Sequence, residues 1–158
     1  MKRTTAREIA VQLGFFASAS EKPVSEIVEQ FFDEEYYATL AAEDELFAEY
    51  PDKKQKEYII RLAGLMEDYR IQIDSYIVKY AQGWTLNRIS RTALAVMRCA
   101  ICEVLYMDDI PNSAAINEAV ELAKGYDEAE TVAFVNGVLG GFMRGEFGEK
   151  SEVAEKEE

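Results

Sequence analysis

The sequence predicts an all-α fold, on three observations. Apolar residues recur at steps of three and four over most of the chain, the period of one helix face. Prolines number three in 158 residues. No Asn-Gly or Asp-Gly pair stands between two alternating apolar runs, so the commonest hairpin turn is missing. A chain of this length fits one domain with a substantial core, and its periodic runs predict about seven helices.

Taken in order, Thr5 and Glu8 match the S/T-x-x-E capping box and predict a first helix opening there and running to about Ala17. Pro23 suits the first turn of a second helix, whose apolar face is Val24, Ile27, Val28, Phe31 and Phe32. Tyr36–Tyr50 is acidic and ambiguous, and Pro51 ends it. From Asp52 onward Ile59, Leu62, Met66, Tyr69, Ile73, Tyr76 and Tyr80 form one stripe. It predicts a single long helix, kinked or interrupted near Gly64 or Tyr69. Gly83-Trp84 breaks the stripe, Thr85–Ile89 reads as a short helical turn, and Ser90 caps a helix to about Tyr106. After Pro111, Asn112 or Ser113 can cap a run carrying Ile116, Ala119, Val120 and Ala123, with Gly125 as its stop. The last run places Val132, Val135, Val138, Leu139 and Phe142 on one side, and Gly137 and Gly141 are spaced to let two helices approach closely. Residues 1–145 therefore make the domain. The stretch 146–158, EFGEKSEVAEKEE, has no apolar stripe and is predicted to be an acidic, disordered tail.

Enzyme chemistry has little to work with. The chain has no histidine, the usual general base near neutral pH and the commonest zinc ligand. Cys99-Ala-Ile-Cys102 has redox-pair spacing, but it lies mid-helix among Val96, Met97, Ile101 and Val104 without a second ligand pair. Buried core cysteine is the better account. Acidic clusters at Asp33–Glu35 and Glu43–Glu45 lack the glycine and ligand spacing of a calcium loop. The expectation is a non-enzyme without metal or cofactor. No apolar run approaches the ~20 residues a bilayer requires, and MKRTTARE has no apolar secretory core. Two cysteines give no disulfide framework. A soluble, cytoplasmic protein with no membrane contact is expected.

Net charge is −13, which repels polyanions, yet its distribution is uneven. Lys2, Arg3 and Arg7 face only Glu8 within residues 1–20, and residues 86–98 hold Arg88, Arg91 and Arg98 without an acid. An acidic body with a small basic arm suits an RNA binder whose partner brings further positive charge. A second reading is an acidic helical adaptor or homodimer that touches no RNA, its interface built from Phe15, Phe16, Phe31, Phe32, Tyr36 and Tyr37.

The stretch Ile110–Gly140, IPNSAAINEAVELAKGYDEAETVAFVNGVLG, carries polar residues where a structural hairpin needs none. Its INEAVELAK and FVNGVL segments closely resemble the signature of the NusB family of transcription antitermination factors. The resemblance extends to Thr5–Gln12, to Arg98 and to Glu103–Tyr106. It implies two packed helical halves, with no covalent chemistry. It further implies pairing with the ribosomal protein NusE and binding of the pair to boxA RNA of nascent rRNA leader transcripts. The complex would then join other Nus factors on RNA polymerase and suppress premature termination. Lys2, Arg3 and Arg7 are the implied basic RNA surface, and Phe134 the implied base-stacking aromatic. Thr4, Thr5 and Ala133 stand where relatives carry basic residues, which predicts weak RNA affinity without a partner. Asn117 and Asn136 are read as helix-contact or turn-fixing amides. The NusE-facing surface is placed around Ser90–Leu105, on Arg91 and Arg98, with Arg98 capping a helix end or pairing with Glu103 as the alternative. The missing catalytic domain argues against a module fused to an rRNA methyltransferase.

Overall fold

The computed structural model describes residues 1–148. Among these it is all-helical, with eight α-helices and two short 3-10 turns. It divides into two compact units, the first Met1–Asp68 and the second from Tyr69 onward.

The first unit contains α1 (Arg3–Ser20), α2 (Val24–Phe31), α3 (Glu34–Glu43), a 3-10 turn at Glu45–Phe47 and α4 (Lys53–Asp68). The first helix opens two residues before the expected capping box. Lys2 occupies its N-cap position, so Thr5 lies inside the first turn and the helix runs on to Ser20. The second begins after Pro23, which offers no side-chain cap. Its first amide donates instead to the Glu67 carboxylate near the end of α4, at 3.0 and 3.2 Å to the two oxygens. The ambiguous acidic stretch becomes α3, capped by Asp33 accepting from the Tyr36 amide. Phe31 is the hub of this core, its ring meeting Phe16, Phe32, Tyr37 and Phe47 at centroid distances of 5.0–6.3 Å, mostly edge to face. Each such pair contributes about 0.5–1.5 kcal/mol beyond area burial. Phe31, Phe32 and Tyr37 are buried and Phe15, Phe16 and Tyr36 half-buried, so the aromatic set expected to build an adaptor interface is largely consumed by the core. Tyr37 donates to the Glu49 carbonyl at 3.1 Å. Burial first, then Tyr50 and Glu49, pushes its phenol up to about 12.

The second unit contains α5 (Arg70–Tyr80), a 3-10 turn at Leu86–Arg88, α6 (Arg91–Tyr106), α7 (Asn112–Tyr126) and α8 (Ala129–Phe147). The long stripe is indeed interrupted at Tyr69, whose backbone (φ −108°, ψ 20°) leaves the helical region. The Tyr69 ring stacks on Tyr106 at 4.0 Å. Ser90 caps α6 as expected, accepting from the Ala93 amide at 3.1 Å. This helix is the centre of the unit and packs against α5, α7 and α8. Cys99 and Cys102 are free and buried in it. The seventh helix differs from expectation at both ends. Pro111 holds the N-cap position without a side-chain bond, and Gly125 does not stop the helix, which ends one residue later. In α8, Gly137 is exposed with open space around it, while Gly141 and Gly145 face Tyr80 of α5. The close approach therefore uses Gly141 and Gly145, not Gly137. Tyr80 and Lys79 both donate to Glu146, Lys79 at 2.8 Å. Glu146 and Phe147 are thus part of the fold, and the rest of the predicted tail, residues 149–158, lies outside the described residues.

Candidate nucleic-acid interface

The basic arm lies on the first unit. Because α1 starts at Arg3, Lys2 and Arg3 stand at its very N-terminus and both are exposed. The Arg3 guanidinium lies over the Tyr58 ring, 4.2 Å from its centroid, which holds a flexible cation in place. The Met1 ammonium pairs with Glu49, and the Gln55 side chain donates to the Met1 carbonyl at 3.3 Å, tying down the terminus. Lys2, Arg3, Lys54, Gln55 and Tyr58 line a cavity of about 210 Å³. Lys54 is the cation that sequence reasoning missed. It sits far along the chain in a lysine-rich helix start, and only packing of α4 on α1 brings it to the arm. Arg7 is the exception to the expected trio. At 3% exposure it is buried at the edge of the stripe formed by Ala6, Ile9, Ala10, Leu13 and Ala17, so it does not share the accessible surface of Lys2 and Arg3.

The aromatic candidate lies on the second unit. Val135, Val138, Leu139, Phe142 and Met143 form the buried side of α8, and Phe134 is rotated off that side and half-buried. Its ring meets Trp84 at 5.3 Å between centroids, with the planes 53° apart. The Arg88 guanidinium carbon lies 5.8 Å from the Trp84 ring. Neither Trp84 nor Arg88 was singled out from the sequence as a site residue, because an isolated break between helices carries no periodic signal.

Comparison with known proteins decides what these features belong to. The NusB family profile matches residues 4–144. The chain belongs to the NusB family. A transcription antitermination protein NusB from Thermoanaerobacter sp. (strain X514) is 38% identical over 152 residues, covering 96% of this chain and 97% of the relative. That of Alkaliphilus oremlandii (strain OhILAs) is 44% identical over 104 residues, covering 66% of this chain and 75% of the relative. The structure of T. maritima NusB superposes with a TM-score of 0.71 at 30% identity, covering 91% of this chain and 92% of that one.

The remaining candidates of this NusB-family chain fall out as follows. Arg91 is exposed at the start of α6. Arg98 is only partly exposed and forks onto Asp74 of α5, not onto Glu103. Glu103 is buried, and its carboxylate accepts from the Cys99 thiol at 3.6 Å. Ten of the sixteen residues of α6 are buried, so the Ser90–Leu105 stretch has little surface to offer a partner. The exposed large apolar side chains of α5, Ile71 and Val78, are spaced seven residues apart, two turns of one face. Asn117 and Asn136 are exposed within helices and fix no turn. Among the described residues no group of three or more His, Cys, Asp or Glu is arranged to hold a metal. No helix among them is long and apolar enough to cross a membrane.

Proposed function

We propose that this protein is a transcription antitermination factor acting in the cytoplasm without catalysis, by presenting single-stranded boxA-type RNA of nascent rRNA leaders together with a ribosomal protein partner, NusE. The observation that carries the reading is Phe134. The buried side of α8 is Val135, Val138, Leu139, Phe142 and Met143; the Phe134 ring lies off that side, half-buried, beside a second aromatic. An unpaired base needs an open aromatic face of this kind. Lys2, Arg3 and Lys54 supply phosphate contacts on the first unit.

A net charge of −13 opposes any polyanion, and a basic partner offsets that repulsion. The apolar face of α5 at Ile71 and Val78 gives such a partner more to bury than α6 does. Through the pair, the protein reaches other Nus factors and RNA polymerase.

The test is co-purification with the organism's own NusE, followed by RNA titration of the pair and of each component. The expected result is weak binding alone and markedly tighter binding by the pair, with log K falling as log salt rises. A pair that forms and ignores boxA-type RNA would sink the proposal in favour of an adaptor.

A further inference from the structure

We infer that Trp84 is a second base-stacking residue, and that Trp84, Phe134 and Arg88 form one seat for unpaired bases of single-stranded RNA. The inference rests on the reading that Phe134 faces RNA, and extends it to the connection between α5 and α6.

Trp84 is the only tryptophan of the chain and remains 47% exposed. Full burial of so large a ring would stabilise the fold by about 2–3 kcal/mol, so leaving it out requires a reason other than packing. The segment that carries it is pinned. Gly83 takes a positive φ of 81°, the Trp84 amide donates to the Ala81 carbonyl at 2.9 Å, and Ile89 is buried just beyond. The Arg88 amide donates to the Thr85 carbonyl at 3.0 Å, closing the 3-10 turn that presents Arg88. A ring held this way loses little entropy when a base arrives. The Trp84 and Phe134 rings are tilted by 53° with centroids 5.3 Å apart, so they are not stacked face to face.

Charge selects the occupant. From Ser75 to Cys102 the sequence contains no acid; of the four cations in this span Lys79 and Arg98 are paired with Glu146 and Asp74, and Arg88 is the one that lies beside Trp84. In a chain this acidic, such a span favours a polyanion over an apolar protein segment. Asp127, the acid nearest α6 on the α7–α8 turn, accepts from the Thr92 hydroxyl at 3.1 Å. Glu130 is exposed one turn before Phe134 on α8, so the phosphate side of the seat is the Arg88 side.

Because Trp84 is the sole tryptophan, its emission reports directly on the seat. The full chain, alone and with NusE, is titrated with a short boxA-type RNA and with the same sequence as a duplex. Emission should be quenched by the single strand along the same isotherm as labelled-RNA anisotropy, and not by the duplex. Trp84→Ala should lower RNA affinity about 5- to 150-fold, the range of one lost base stack. Trp84→Phe should retain most of it, and Arg88→Ala should reduce the salt slope by about 0.7. Circular dichroism confirms that each variant is folded. Wild-type affinity in folded Trp84→Ala, with Phe134→Ala impaired, would overturn this inference and leave the RNA reading standing. Intact RNA affinity with weakened NusE capture would overturn it in favour of a protein contact. Failure of both the wild-type chain and its complex to bind RNA would overturn both.

Discussion

Arg98 of α6 forks onto Asp74 of α5, with Nε 2.7 Å from one carboxylate oxygen and Nη2 2.9 Å from the other. The side chains are only 20% and 14% exposed, so the pair fixes the register of two helices within the second unit. A bidentate, partly desolvated pair is among the stronger polar contacts a fold can make.

Asp74→Ala should therefore cost about 1–3 kcal/mol of stability, because it strands a half-buried guanidinium. Arg98→Ala should cost a similar amount, and the double variant less than the sum of the two. A double-mutant cycle in urea checks this. Additive losses would mean that the two residues act separately.

The arm divides into surface and core. Lys2→Ala with Arg3→Ala should leave Tm nearly unchanged and flatten the salt dependence of RNA binding by about 0.7 per lost phosphate contact. Arg7→Ala should do the opposite, lowering stability by about 1–3 kcal/mol, since its buried side chain is held by interactions within the fold. Thermal melts and RNA titrations of the two variants side by side separate these roles. An unaltered melting curve for Arg7→Ala would return that residue to the surface.

Two glycines of one helix should respond with opposite sign. Gly137 has open space where a Cβ would go, so Gly137→Ala should gain about 0.5–1 kcal/mol from helix propensity alone. A Cβ at Gly145 would run into the Tyr80 ring, which also packs on Phe142 at 6.2 Å. Overpacking of this kind costs about 1–3 kcal/mol, outweighing the propensity gain. Denaturant midpoints should rise for the first variant and fall for the second.

The end of α8 should loosen in acid. Hydrogen bonds from Lys79 and then Tyr80 hold the Glu146 carboxyl below its ordinary value of 4.5. A depressed carboxylate contributes stability above its unfolded pKa and loses it as pH falls through the folded one. Lys79, raised above 10.5 by its hydrogen bond to Glu146, contributes below that value and loses its share as pH rises through its folded pKa. Protection of the amides in the last turn of α8, relative to their intrinsic exchange rates, should thus fall below about pH 4.5, and Glu146→Gln should show the lower protection already at neutral pH. Protection in that turn unaffected by either change would show that the cluster does not anchor it.

How much of this was legible in the sequence follows from the range of the forces involved. The all-α class, the Ser90 cap, the interruption at Tyr69 and the buried CxxC are local matters of period and capping, readable within one or two turns, whereas Phe134 was singled out by the family resemblance. The family signature in α7 and α8 was equally local. Other features required chain segments far apart to meet. The cap on α2 comes from Glu67, 43 residues away, so no local pattern at Pro23 announces it. Arg98 found Asp74, 24 residues upstream, although Glu103 was nearer in sequence. Arg7 went inward where α1 packs within the first unit, and Lys54 and Trp84 gained partners only when α1 met α4 and the α5–α6 connection met α8. Periodicity and capping act over a turn or two and leave their mark on adjacent residues, whereas charge pairing and ring contact depend on which helices pack together, and packing alone decides that.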